Sequence, residues 1–187
     1  MKLKKFNAVV AILSAITLFI HMGYMTYSCL TMYYNPNLNS IFSIPFFICV
    51  AVHGVCGMCS VFLLGDGTRL DIYKKQNRKT VIQRVSAAFI FPLLIVHLKT
   101  FELLQEISAE GKWLGFVVVI IIQILFFVEV TVHTALSLSK AFITLGILQD
   151  RNKQKMMDRI VAAICVIMFL IAAFAVVKWQ LSMFLPK

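Results

Sequence analysis

Four histidines, His21, His53, His97 and His133, fall one in each of four successive apolar stretches of this 187-residue chain. Each lies well inside its stretch, where an ionisable side chain is costly and by default functional. Neutral imidazole is the commonest metal ligand and a natural axial ligand for haem iron. Four imidazoles on four helices suffice for two haems, each clamped between two histidines. The chemistry expected of such a chain is electron carriage within a membrane. A lone intramembrane histidine is often only hydrogen-bonded to a neighbouring helix. Four unrelated structural histidines, however, would have little reason to be distributed one per consecutive stretch.

The stretches that must position them are membrane spans. The chain is 60% hydrophobic and only 14% charged, far below the charge of a soluble domain of this length. A bilayer core of about 30 Å needs about 20 apolar helical residues. On that ruler the spans are 6–33, 41–64, 85–104, 113–139 and 160–181, the fourth pattern continuing to Leu148. The opening Met-Lys-Leu-Lys-Lys resembles the start of a signal peptide. The apolar run from Phe6 to Tyr34 is too long for one and lacks a cleavage pattern, so it reads as the first span. The fold class expected is all-α, a transmembrane bundle of five helices forming one membrane-embedded domain over residues 1–187.

Loop charge orients the bundle. Lys2, Lys4 and Lys5 precede the first span. Arg69, Lys74, Lys75, Arg78, Lys79 and Arg84 lie between the second and third, and Lys140, Arg151, Lys153, Lys155 and Arg159 between the fourth and fifth. These 14 of the 18 basic residues share one side, which places the N-terminus in the cytoplasm and the C-terminus outside. Tyr33, Tyr34, Trp113 and Trp179 fall at the outer ends as an aromatic belt. The net charge of +10 therefore reflects orientation, anionic lipid headgroups and an acidic cytoplasmic partner, and not nucleic-acid binding. Gly65-Asp66-Gly67-Thr68 marks a turn after the second span. No internal repeat is visible in the residues.

Depth sorts the histidines into two levels. At about 1.5 Å per residue, His97 lies roughly 20 Å beyond Arg84 and His21 about 24 Å beyond Lys5, both in the outer half. His133 is about 10 Å from Lys140 and so nearer the cytoplasm, while His53 reads close to mid-depth. The consistent pairing is His21 with His97 for an outer haem and His53 with His133 for an inner one. Gly23, Gly54 and Gly57 lie beside ligand positions. Glycine there admits a bulky macrocycle or, equally, tight helix packing. Pro92, five residues before His97, is expected to bend the third span.

At this point the chain resembles the cytochrome b membrane anchors of succinate dehydrogenase and fumarate reductase, in their single-subunit, five-helix, two-haem form. Gln83-Arg84-Val85-Ser86, followed by an apolar run to His97, is similar to the family's Arg-x-Ser/Thr-Gly at a helix entrance. His53-Gly54-Val55-Cys56-Gly57 is similar to the second-helix segment, and His133 with Gly146 to the fourth. The resemblance covers residues 10–150 and includes one ligand on each of the first four helices. It departs at Ala87, where the family has glycine, and in lacking an acidic residue at the outer start of the second span. It implies two non-covalent haems b, a mobile quinone, and partner flavoprotein and iron–sulfur subunits on the cytoplasmic face. It also implies a location in the inner (plasma) membrane.

Other polar residues invite roles. Glu129, an acidic residue deep in a span, precedes His133 by four positions on the same helix face. It suits a proton relay or a neutral carboxyl hydrogen-bonded to a neighbouring helix. Arg84, Ser86 and Lys140 near the cytoplasmic boundary are candidates for haem propionates or quinone; simple snorkelling is the other reading of the two cations. Lys99 and Glu102 read as an outer-surface pair, solvated or near a quinone. The Cys56-x-x-Cys59 spacing lacks a second ligand pair and reads as small hydrophobes in an apolar helix. The expected function is a non-catalytic electron-transfer subunit linking quinone to the iron–sulfur subunit through two haems. The residues 66–85 and Gln149 to Arg159 are the expected docking surfaces. A haem-poor structural anchor and a small proton-conducting transporter are the alternatives.

Overall fold

A computed structural model describes residues 2–62 and 74–185, with side chains from Arg78 onward in the second segment. Five helices make up the described chain: α1 (Lys2–Thr31), α2 (Pro36–Phe62), α3 (Lys74–Ala109), α4 (Trp113–Thr144) and α5 (Arg151–Phe184). All five are long and apolar enough to cross a membrane. In lipid a spanning segment must satisfy its own backbone, which is why these apolar runs fold as uninterrupted helices.

Helix boundaries differ from the sequence expectation. The helices overrun the spans because amphipathic and charged residues continue the backbone hydrogen bonding past the apolar core. α3 begins at Lys74, so much of the expected basic loop 66–85 is helix, and its residues Lys79, Thr80 and Gln83 bond to α4 and α5. α4 stops at Thr144 and does not reach Leu148, because Gly146 turns left-handed at φ 79°. The turn Gly65-Asp66-Gly67-Thr68 and the cations Arg69 and Lys187 lie outside the described residues, as do the side chains of Lys74 and Lys75. Both α2 and α3 continue through their internal prolines, Pro45 and Pro92.

The described connections are short, and those before α2 and α5 supply a side-chain cap. Asn35 caps α2, its Oδ1 accepting from the N–H of Asn37 at 3.0 Å and of Leu38 at 3.2 Å, with Pro36 in the first turn. Tyr24 clasps the same turn, its hydroxyl accepting from Asn35 N–H and donating to Asn35 C=O. Gly111, at φ 64°, closes the α3–α4 turn. Asp150 caps α5 by accepting from Lys153 N–H at 2.8 Å.

Short turns make neighbouring helices antiparallel, giving two hairpins, α1–α2 and α3–α4. The hairpins meet through α1 and α4, and α5 packs on α1, α4 and α3. The seams are built from small residues: Ala8, Ala15, Cys29, Cys165, Ala172 and Ala175 are all buried. Lipid offers no hydrophobic drive between helices, so close backbone approach supplies the packing instead. A second cluster of Leu104, Phe116 and Val119, with Trp179 and Phe184, holds the end of the bundle that carries Trp113. Ile41, Ile44, Ile48, Leu114 and Phe174 face outward, as lipid-facing residues do.

Charge separates the two ends of the bundle. Lys79 pairs with Asp158 across α3 and α5, and Asp158 also accepts from Ser139 of α4. That cluster lies at the end where α1 and α5 begin. At the opposite end Lys99 pairs with Glu102, Lys112 with Glu110, and Lys178 Nζ donates to Leu30 C=O.

Candidate functional site

Each hairpin holds both of its imidazoles through the opposite helix, and always at Nδ1. His53 Nδ1 donates to Asn7 Oδ1 at 2.8 Å. His133 Nδ1 donates to the Gln83 carbonyl at 3.0 Å. His97 Nδ1 donates to Gln123 Oε1 at 3.0 Å. His21 Nδ1 lies 3.1 Å from Ser43 Oγ, whose own hydroxyl proton goes to Asn39 Oδ1, so Ser43 is left to accept. All four rings are thus held as the Nδ1–H tautomer, with the basic lone pair on Nε2. Metal-binding histidines are arranged in the same way, with the far ring nitrogen donating to an acceptor that sets tautomer and ring plane.

The two hairpins repeat one another in spacing. His21 lies fourteen residues beyond Asn7 and His97 fourteen beyond Gln83. His53 lies ten beyond Ser43 and His133 ten beyond Gln123. Residue identities conceal this repeat, because an amide, a backbone carbonyl and a hydroxyl play the same part. The spacing sets two levels, roughly 15 to 21 Å apart at 1.5 Å per residue. His53 shares its level with His133. Its bond to Asn7, two residues past Lys5, puts it at the basic end with His133.

Between hairpins, the His53 and His133 rings approach to 6.1 Å between centroids, with planes at 65°. Two metal–nitrogen bonds of about 2.0 Å, plus about 1.1 Å from each nitrogen to its ring centre, total roughly 6 Å. Edge-to-face aromatic pairs reach the same distance; the four engaged Nδ1 atoms are what favour a ligand site. At the other level His21 and His97 lie within electrostatic reach of each other. His21 stacks on Phe46 at 5.4 Å, and His97 on Phe126 at 4.7 Å.

The backbone of α2 stands apart from the second hairpin. Among the described residues, α2 packs on α1 alone, and none of its Cα atoms comes within 8 Å of α3, α4 or α5. Helices in direct contact lie about 8–10 Å apart axis to axis. The His53 and His133 rings therefore meet between helices whose backbones stay farther apart than those within each hairpin. Gly23, Gly54 and Gly57 border open space, since a Cβ added at any of them would meet nothing within 4 Å. Tight helix packing is not what these glycines do.

The remaining candidates separate clearly. Lys140 is half-buried and donates to Gln83 Oε1 at 2.7 Å and Thr80 Oγ1 at 3.3 Å. It lies within electrostatic reach of Arg84, Lys79 and His133, so it is embedded beside the His133 level and does not merely snorkel. Ser86 is buried, and its hydroxyl donates to the same Gln83 carbonyl that holds His133. Arg84 is half-buried next to that carbonyl. Glu129 is half-buried one turn from His133 and has no hydrogen-bond or ion-pair partner among the described residues, so it is not bonded to a neighbouring helix. Lys99 and Glu102 form an exposed ion pair with each other. The five cysteines are free thiols, Cys56 buried on α2. Among the described residues no three His, Cys, Asp or Glu side chains converge, as a protein-held zinc ion requires. Two imidazoles per site is the number that suits axial ligation of haem.

Asn7, Ser43, Gln123 and Thr100 are the site residues that the sequence reading passes over. The signal available for them is polarity within an apolar run at fourteen or ten residues from a histidine. No protein-family model, curated protein or solved structure matches this chain.

Proposed function

We propose that the chain is a two-haem cytochrome b of the membrane-anchor kind. In this reading it carries electrons between a membrane quinone and a flavoprotein and iron–sulfur subunit pair on the cytoplasmic face of the plasma membrane. The observation that carries the reading is the uniform Nδ1 anchoring of all four histidines, which leaves four Nε2 lone pairs at two levels. His53 and His133 would hold the inner haem, and His21 and His97 the outer one. Bound haem supplies one-electron chemistry at an iron whose potential is tuned by its ligands and surroundings.

The chain's own residues do the rest. Asn7 and the Gln83 carbonyl orient the inner imidazoles, and Ser43 and Gln123 the outer ones. Lys140 and Arg84 put positive charge at the inner level, where anionic propionates need donors. The apolar helices exclude water around both levels. The cations Arg78, Lys79, Arg151, Lys153 and Lys155 at the basic end form the surface for an acidic partner. Succinate or fumarate chemistry belongs to that partner.

The test is a visible absorption spectrum and haem quantitation of the purified chain. Haem near two per chain supports the reading; a colourless, folded preparation refutes it and leaves the haem-poor anchor. Glu129 favours a proton-exchanging role at the inner level, because its carboxyl stands unpartnered one turn from His133. Proton uptake on reduction, compared between wild type and Glu129→Gln, tests that role; equal uptake excludes it.

A further inference from the structure

Gln123 is 3% exposed and Thr100 4%, deep within the contact between α3 and α4. Their hydrogen bonds form a directed chain. Thr100 Oγ1 donates to the Val96 carbonyl at 2.9 Å, which commits its proton and leaves the oxygen to accept. Gln123 Nε2 donates to that oxygen at 2.6 Å. The amide is thereby fixed in one of its two orientations, with Oε1 toward His97 Nδ1 at 3.0 Å. An amide turned the other way would present N–H to Nδ1 and demand the opposite tautomer, with its proton on Nε2. At His21 the comparable lock is Asn39 Oδ1, which takes the Ser43 hydroxyl proton, whereas His53 bonds Asn7 and His133 a backbone carbonyl.

We infer that Thr100 and Gln123 are positioning residues that hold His97 as the Nδ1–H tautomer and set how strongly its Nε2 donates to a bound haem iron. This rests on the cytochrome reading above and adds the control of one haem by a side-chain relay. A strong acceptor on Nδ1–H makes the imidazole a better donor and stabilises the ferric state. Loosening the relay therefore raises the midpoint potential of the haem that His97 holds, and of that haem alone.

The experiment is redox titration of both haems in purified wild type, T100S, T100V and Q123L, followed by visible absorption. T100S keeps the hydroxyl and is expected to titrate as wild type. T100V and Q123L are expected to raise the midpoint of one haem while the other stays at its wild-type value. If Q123L fails to accumulate, the T100S and T100V pair decides. A haem-loaded T100V with both midpoints unmoved, or both moved alike, overturns the inference and leaves the cytochrome reading standing. A wild type without haem overturns that reading itself and the inference with it.

Discussion

Replacing Asn7 with leucine removes an acceptor 2.8 Å from His53 Nδ1 while keeping similar volume on α1. The imidazole N–H then faces an apolar environment without a partner, at a net cost of about 1–3 kcal/mol. At 1.4 kcal/mol per tenfold, that corresponds to roughly 5- to 150-fold weaker retention of whatever His53 ligates. Loss of an outer-shell partner elsewhere costs about 10–100-fold in metal affinity, so the two routes to the magnitude agree. The assay is haem transfer from the purified N7L protein to excess apomyoglobin, with the rate for each haem compared with wild type. One haem should leave faster by that factor and the other at the wild-type rate. Asn7→Asp, which keeps an acceptor at the same place, should retain both. If N7L releases both haems at wild-type rates, the hydrogen bond does not position a ligand and the argument from Nδ1 anchoring fails.

On the two-haem proposal His97→Ala should abolish one haem and spare the other, since separate pairs would hold the two levels; haem quantitation by level decides. Lys140→Met should lower the midpoint potential of the inner haem, because an ammonium beside His133 favours the state with the extra electron. An unchanged or raised midpoint in redox titration would contradict that placement. Ala175, fully buried on α5, should not tolerate leucine: overpacking costs about 1–3 kcal/mol and should lower the thermal unfolding midpoint in detergent. An unshifted midpoint would mean that the seams through α5 are looser than the structure has them.

Much of the architecture is legible without coordinates. A bilayer acts on composition locally: about 20 apolar residues in a row form a helix, because that is the backbone state that satisfies its hydrogen bonds within one segment in lipid. The five spans and their shared basic end are therefore written in the chain, as is the allocation of His21, His53, His97 and His133 to separate helices. Helix ends are less legible. Charged residues from Lys74 onward prolong α3, and one glycine at positive φ ends α4 before Leu148.

What needed the tertiary structure is everything that depends on contact across the hairpins. The acceptors of the four imidazoles stand 22 to 50 residues from their histidines. An isolated polar residue in an apolar run has no marker to separate an imidazole partner from an idle side chain. Likewise, Gly54 and Gly57 read the same whether a helix or open space lies beside them, and only the position of α2, packed on α1 and apart from α3 and α4, separates the two. The meeting of His53 with His133 follows from the same packing. Hydropathy is a property of one segment at a time, whereas a ligand pair is a property of two segments and the distance between them.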